Sequence, residues 1–136
     1  MASVFTVRPI GLVESPLTDP DQAPLQGDEG APDAWLAFAD EVSDGLRDLR
    51  PGTEMILLTW LDRVGRDVLA VHPRGDLSRP LTGVFSTRSP ARPNPVGLHR
   101  VTILSVEGTR VLVRGLEALD QTPIVDLKPV LSPAER

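Results

Sequence analysis

The chain contains no cysteine. Disulfides, thiolate nucleophiles and Cys-ligated zinc or iron–sulfur centres are therefore excluded. Imidazoles are almost as scarce, since His72 and His99 are the only two among 136 residues. Two histidines make a poor metal site, and no metal is expected. No apolar run approaches the roughly 20 residues of a membrane-spanning helix, and Arg8 and Pro9 interrupt the apolar stretch near the N-terminus. These absences predict a cytoplasmic protein with no membrane partner. Also missing are a GxGxxG turn, a phosphate-loop lysine motif, a GxSxG elbow and an HExxH pair. Aromatic residues are few. Trp35, Trp60 and the three Phe read as core anchors rather than a base-stacking row, because Trp60 lies in the most apolar segment.

Proline and glycine are abundant, at 14 and 11 residues, while 40% of the chain is apolar. A core is affordable, but the elements around it must be short and turn-bounded, within a single domain over residues 1–136. Strand patterns fall at Val4 to Val13, Ala34 to Ala39, Glu54 to Leu61, Asp67 to His72, Gly83 to Thr87, Val96 to Val106, Thr109 to Gly115 and Ile124 to Val130. Asp40 to Leu49 reads as a short helix or turn closed by Pro51-Gly52, and residues 16 to 33 as a long irregular arm. Glu107-Gly108 between two apolar segments marks a hairpin. Seven or eight short strands with almost no helix predict an all-β fold: a small, closed or nearly closed, mainly antiparallel β-barrel with long loops.

Charge is unevenly distributed. The net charge is −5, yet residues up to Glu54 carry 3 basic and 11 acidic side chains, and the remainder 11 basic and 8 acidic. Seven arginines between Arg63 and Arg100 face only Asp67 and Asp76. Such a stretch suits anion binding, although an arginine-rich proteome produces the same bias. Within it, FSTRSPARPNPVGLH is stiffened by three prolines that fix φ, so Arg88, Arg92 and Asn94 are held before any ligand arrives. The plainer alternative is a rigid connector with solvated arginines. A second cluster, LDQTPIVDLKP, puts Asp120, Gln121 and Thr122 at a turn and Asp126 and Lys128 two apart on one side of a strand. Its plainer reading is an Asx-sealed turn followed by a surface ion pair. Pro24-Leu25-Gln26-Gly27 in the arm and Asp62-Arg63 at a strand end complete four clusters that could gather around a barrel mouth. His72 and His99 read as strand-end residues, not catalytic bases.

The runs RPIGLVESP, PLQG, GLRDLRPGTEMILLTWLDR, GVFSTRSPARPNPVGLHRV and LEALDQTPIVDLKP, in this order, resemble the TsaA-like/TrmO family over nearly the whole chain. The resemblance implies an S-adenosylmethionine-dependent methyltransferase built on a small β-barrel, binding its cofactor near a homodimer interface. The reaction it implies is methylation of N6 of threonylcarbamoyladenosine in tRNA, beside the anticodon. Matched position by position, cofactor contacts would fall on Leu25, Gln26 and Gly27, on Asp62 and Arg63, on Arg88, on Leu98, and on Asp120, Gln121, Thr122 and Pro123. Arg88 is the expected partner of the cofactor's carboxylate, Asp120 of its amino group or ribose, and backbone at Gln26 and Leu98 of adenine. Arg92, Asn94 and Lys128 are expected to meet the substrate. The displaced N6 proton needs an acceptor, for which Asp126 and Asp120 are the candidates.

Three features depart from the family pattern. Asp62-Arg63 stand where members near the characterised enzyme carry His-Gln, and Gln121 stands where the family's D-G-T-P turn has Gly. The chain ends at Arg136, soon after the KP segment, so the additional C-terminal domain of the tRNA enzymes is expected to be absent. These departures keep two alternatives open: a methyltransferase acting on a small metabolite, and a non-catalytic module binding the cofactor or another adenosine ligand.

Overall fold

Where apolar and polar residues alternate, the computed structural model, which describes residues 3–135 and also carries six 3₁₀ segments, has eight strands. These are β1 (Gly11–Glu14), β2 (Ala34–Phe38), β3 (Glu54–Trp60), β4 (Ala70–Val71), β5 (Thr82–Gly83), β6 (Val96–Glu107), β7 (Arg110–Arg114) and β8 (Pro123–Pro129). Six of them close an antiparallel barrel in the order β1-β2-β7-β6-β3-β8, while β4 and β5 pair separately. Ring closure leaves none of the six with a free edge.

Side chains of one parity fill the barrel: Val13, Leu36, Met55, Leu57, Val101, Ile103, Val111, Val113 and Ile124 are all buried. Closure of so small a ring needs sharp curvature. Irregularities in register supply it, one between β3 and β8 at Leu58/Thr59 and one between β6 and β7 at Ile103/Ser105. The former lets both Ile124 and Leu127 pack toward the core despite their odd spacing.

Strand direction fixes where the loops go. Every pairing in the ring is antiparallel, so residues 15–33, 61–95 and 115–122 all emerge at one end of the barrel. The opposite end receives the Gly108 hairpin (φ 62°) and the 3₁₀ segment Asp40–Leu46, whose Val42 and Leu46 pack under the core. Leu116 and Ala118, from the β7–β8 connection, are buried against the same core from the loop end.

Several expectations require correction. The N-terminal strand begins at Gly11, not Val4, because Pro9 cannot donate to a ladder; Val4 and Phe5 stand exposed. The stretches 67–72 and 83–87 shrink to the two-residue strands β4 and β5. Neither tryptophan is a core anchor. Trp35 and Trp60 are half-buried, lying under Arg110 (4.4 Å) and Arg66 (5.2 Å), and Phe38 alone among the three Phe is buried.

Candidate functional site

The loop end of the barrel carries a cleft of about 510 Å³. Gln26, Gly27 and Asp28 of the arm form one wall, Arg114, Gly115 and Glu117 another, and β6 from Leu98 to Thr102 the floor, with Ile56 and Glu54 from β3 and Arg88 from the long connection. Five stretches separated in sequence therefore meet here. The volume falls within the roughly 300–1,000 Å³ of small-molecule sites.

The arm is clamped to the β7–β8 connection along its length. Ser15 N–H donates to Asp120 Oδ1 (3.0 Å), Asp120 N–H to the Leu17 carbonyl (2.7 Å), and Leu116 N–H to the Pro32 carbonyl (3.0 Å). Midway, Gly27 meets Gly115 so closely that a Cβ at residue 27 would lie 2.2 Å from the Gly115 carbonyl oxygen. Only glycine permits that approach. Arg74 adds an ion pair to Glu29 (2.8 Å).

Beneath the cleft runs a buried polar chain. Thr59, fully buried on β3, shares a hydrogen bond of 2.7 Å with His99 Nε2, and His99 Nδ1 bonds Glu117 Oε1. With Thr59 donating, Nε2 accepts and Nδ1–H donates to the carboxylate, one consistent tautomer. Gly97 makes room: its missing Cβ would sit 2.3 Å from Thr59 Oγ1. His99 is thus an interior residue, not merely a strand end. The signal for it was the parity of Gly97, His99, Val101 and Ile103, which places all four on the barrel's inner side.

Among the charges around the cleft, Arg100 Nε donates to Glu54 Oε2 (2.8 Å), and this bond, with the accompanying Coulomb attraction, holds the Glu54 carboxyl below its ordinary range. The arginine ion pairs among the described residues engage Arg47, Arg74, Arg79, Arg100 and Arg110, so the exposed Arg88 guanidinium remains unpaired in the wall.

Of the residues singled out from sequence, Gln26, Gly27, Arg88 and Leu98 line this cleft. Leu25 adjoins it on the arm and is more than half exposed. A second group forms at the same barrel end: Arg63 Nη2 donates to the Asp120 carbonyl (2.6 Å), joining Asp62-Arg63 to the Asp120–Pro123 turn. There Gln121 is left-handed (φ 68°) with its N–H on the Val13 carbonyl (2.6 Å), and Thr122 Oγ1 donates to the Leu119 carbonyl. Asp120 caps Ser15 across the chain in place of the local Asx bond expected. None of this second group lines the cleft within one chain.

The remaining candidates have structural duties. Arg92 staples its own loop, donating to the carbonyls of Val84, Thr87 and Ser89. Asn94 Oδ1 accepts from Arg66 (2.9 Å). Asp126 and Lys128 form an ion pair of 2.9 Å, both partly exposed. Neither Asp120 nor Asp126 is presented to the cleft as a proton acceptor. Glu117 and Thr59 carry no mark in the sequence, and His99 reads there only as a strand end, because the three come from segments that only the closed barrel brings together. Among the described residues no cluster of three or more His, Asp or Glu is arranged to hold a metal, and no helix is long and apolar enough to cross a membrane.

Fold and cleft together define a small β-barrel with a cleft of small-molecule size at its loop end. The family described as the tRNA-methyltransferase O N-terminal domain matches residues 12–135, and the chain belongs to it. It is 44% identical over 122 residues to an S-adenosyl-L-methionine-binding protein of Archaeoglobus fulgidus, covering 90% of this chain and 86% of that one. A probable S-adenosyl-L-methionine-binding protein of Methanothermobacter thermautotrophicus is 43% identical, with 90% and 88% covered. The crystal structure of TrmO from Pseudomonas aeruginosa superposes with a TM-score of 0.78 at 26% identity, over 98% of this chain. This chain spans 59% of that one.

Proposed function

We propose that this chain binds S-adenosyl-L-methionine in the loop-end cleft and directs its methyl group to N6 of threonylcarbamoyladenosine in tRNA. The observation that carries the reading is the meeting of Gln26-Gly27 from one motif-bearing run with Arg88 and Leu98 from another, around one cleft of suitable volume. Family membership and the names of the archaeal relatives support the cofactor. Bound there, the cofactor supplies an electrophilic methyl on a sulfonium. The chain's own contribution is placement: the arm, clamped at both ends and in the middle, holds backbone groups at Gln26 and Gly27 ready for a purine edge, and Arg88 offers a guanidinium to a carboxylate. In-line transfer gains most of its rate from such fixed geometry.

We place Asp62, Arg63 and Asp120–Pro123 in a homodimer, where a second copy's turn completes the cleft. Half-exposed Leu98 in the cleft floor, with half-exposed Val96 on the same outward face of β6, favours an apolar neighbour. A non-catalytic cofactor-binding module is the second reading, favoured by the relatives' names, which state binding alone. Incubation of the purified protein with methyl-labelled S-adenosylmethionine and total tRNA separates the two. Label recovered in N6-methylated threonylcarbamoyladenosine is the expected result; cofactor binding without incorporation into any tRNA refutes the tRNA reaction and leaves the binding module or a small-metabolite acceptor, and no cofactor binding defeats every one of these readings.

A further inference from the structure

We infer that Glu117 is a cofactor-binding residue, holding the ammonium of the amino-acid tail whose carboxylate is taken by Arg88; the inference rests on S-adenosylmethionine being the ligand of this cleft. An α-amino acid presents two opposite charges a few bonds apart, and a site for it needs one group of each sign. Arg88 and Glu117 both line the cleft. The competing carboxylate, Glu54, is engaged by Arg100, and Asp28 is exposed at the cleft's edge. Asp120, the candidate from sequence, is already bound to Ser15 N–H.

Glu117 is prepared for a cation. Its carboxylate is only 14% exposed, so a charged partner there is poorly screened by water. Oε1 accepts from His99 Nδ1, which Thr59 fixes in turn, so the carboxylate is aimed before any ligand binds. Oε2 accepts no hydrogen bond from the described residues, yet no buried side-chain oxygen among them lacks a partner. Oε2 therefore has access to solvent, and Glu117 lines the cleft. It lies beside Gly27, 3.1 Å from where a Cβ there would be. A carboxylate has about four acceptor positions, and His99 uses one. His99 and Thr59 act as positioning residues behind it.

Glu117→Gln keeps an oxygen for His99 and removes the charge. Calorimetry on wild type and variant with three ligands tests the assignment: S-adenosylmethionine, S-adenosylhomocysteine, which lacks the sulfonium, and methylthioadenosine, which lacks the amino acid. The variant is expected to lose about 10- to 100-fold in affinity for the first two alike and less than about twofold for the third. Equal losses for all three would assign Glu117 a structural role and overturn the inference. Loss for S-adenosylmethionine alone would move the contact to the sulfonium, and unchanged affinities would remove the contact altogether. A wild-type protein that binds none of the three refutes the cofactor itself, a distinguishable failure. Glu117→Asp, charged but shorter, should recover part of the affinity if charge is what matters, and thermal melting of each variant confirms that it is folded.

Discussion

A methyl group placed on Gly97 would strike the buried hydrogen bond that ties β6 to β3. The added Cβ would lie 2.3 Å from Thr59 Oγ1, 2.8 Å from His99 Nε2 and 3.2 Å from Leu61 Cδ2. The first two atoms cannot easily retreat, because Thr59 is enclosed in the barrel and His99 is held from behind by Glu117. Relief therefore breaks the Thr59–His99 bond and strands a buried polar atom, at about 1–3 kcal/mol. Residual overpacking adds about 1–3 kcal/mol. Alanine's smaller entropy loss on folding returns about 0.5–1 kcal/mol. Gly97→Ala should thus destabilise the protein by about 1–5 kcal/mol, read as a lower urea midpoint at unchanged slope. Thr59→Ala removes the nearest obstacle, so the double variant should be more stable than the sum of the singles by about 1 kcal/mol or more. A Gly97→Ala protein within about 0.5 kcal/mol of wild type, or strict additivity in the cycle, would refute the packing argument.

Arg88→Ala should cut affinity for S-adenosylmethionine by about 10- to 100-fold without altering the melting temperature, since this side chain makes no ion pair among the described residues; calorimetry showing unchanged affinity would remove its role. Gly27→Ala forces a Cβ to within 2.2 Å of a backbone oxygen, so the arm must lift from the β7–β8 connection. Faster amide exchange across residues 26–32 is expected, and unchanged exchange there would contradict the clamp. The Glu54 carboxyl is depressed by the hydrogen bond and charge of Arg100, so its contribution to stability is present above the unfolded value of 4.5 and lost as pH falls through the folded one. Arg100→Ala should raise the Glu54 midpoint toward 4.5 in a carboxyl NMR titration; an unmoved midpoint would show that the pair does not persist in solution.

Local rules carried much of the fold. The strands at 34–38, 54–60, 96–107, 110–114 and 123–129 follow from alternation and turn punctuation, and Gly108 takes the positive φ a tight hairpin needs. Local rules failed where tertiary partners decide. Trp60 lies in the most apolar run yet sits on the outer face, because period two allots the interior of β3 to Met55, Leu57 and Thr59. Arg92 reads as a ligand contact in a proline-rich loop, but three carbonyls that converge only after folding claim its guanidinium. The site divides in the same way. Motif-bearing residues were visible as unusual words in the sequence; Glu117, with a serviceable but unremarkable neighbourhood, acquires meaning only through His99 on another strand.

The position of that polar chain has a physical consequence for how the barrel and its loops depend on each other. Loops of 19 and 35 residues, 15–33 and 61–95, would ordinarily be the least stable parts of a domain this size. Here the arm rests on Gly115 and Glu117, Glu117 rests on His99, and His99 is bonded to Thr59 in the barrel interior. Opening the arm therefore exposes a carboxylate whose other oxygen is committed to the core, while disturbing the core at Gly97 releases the support under the arm. Cleft and barrel are coupled through three side chains, so a ligand that grips both Arg88 and Glu117 should slow amide exchange not only in the arm but also at Thr59 and His99. Protection confined to the arm would show that the coupling stops at the surface.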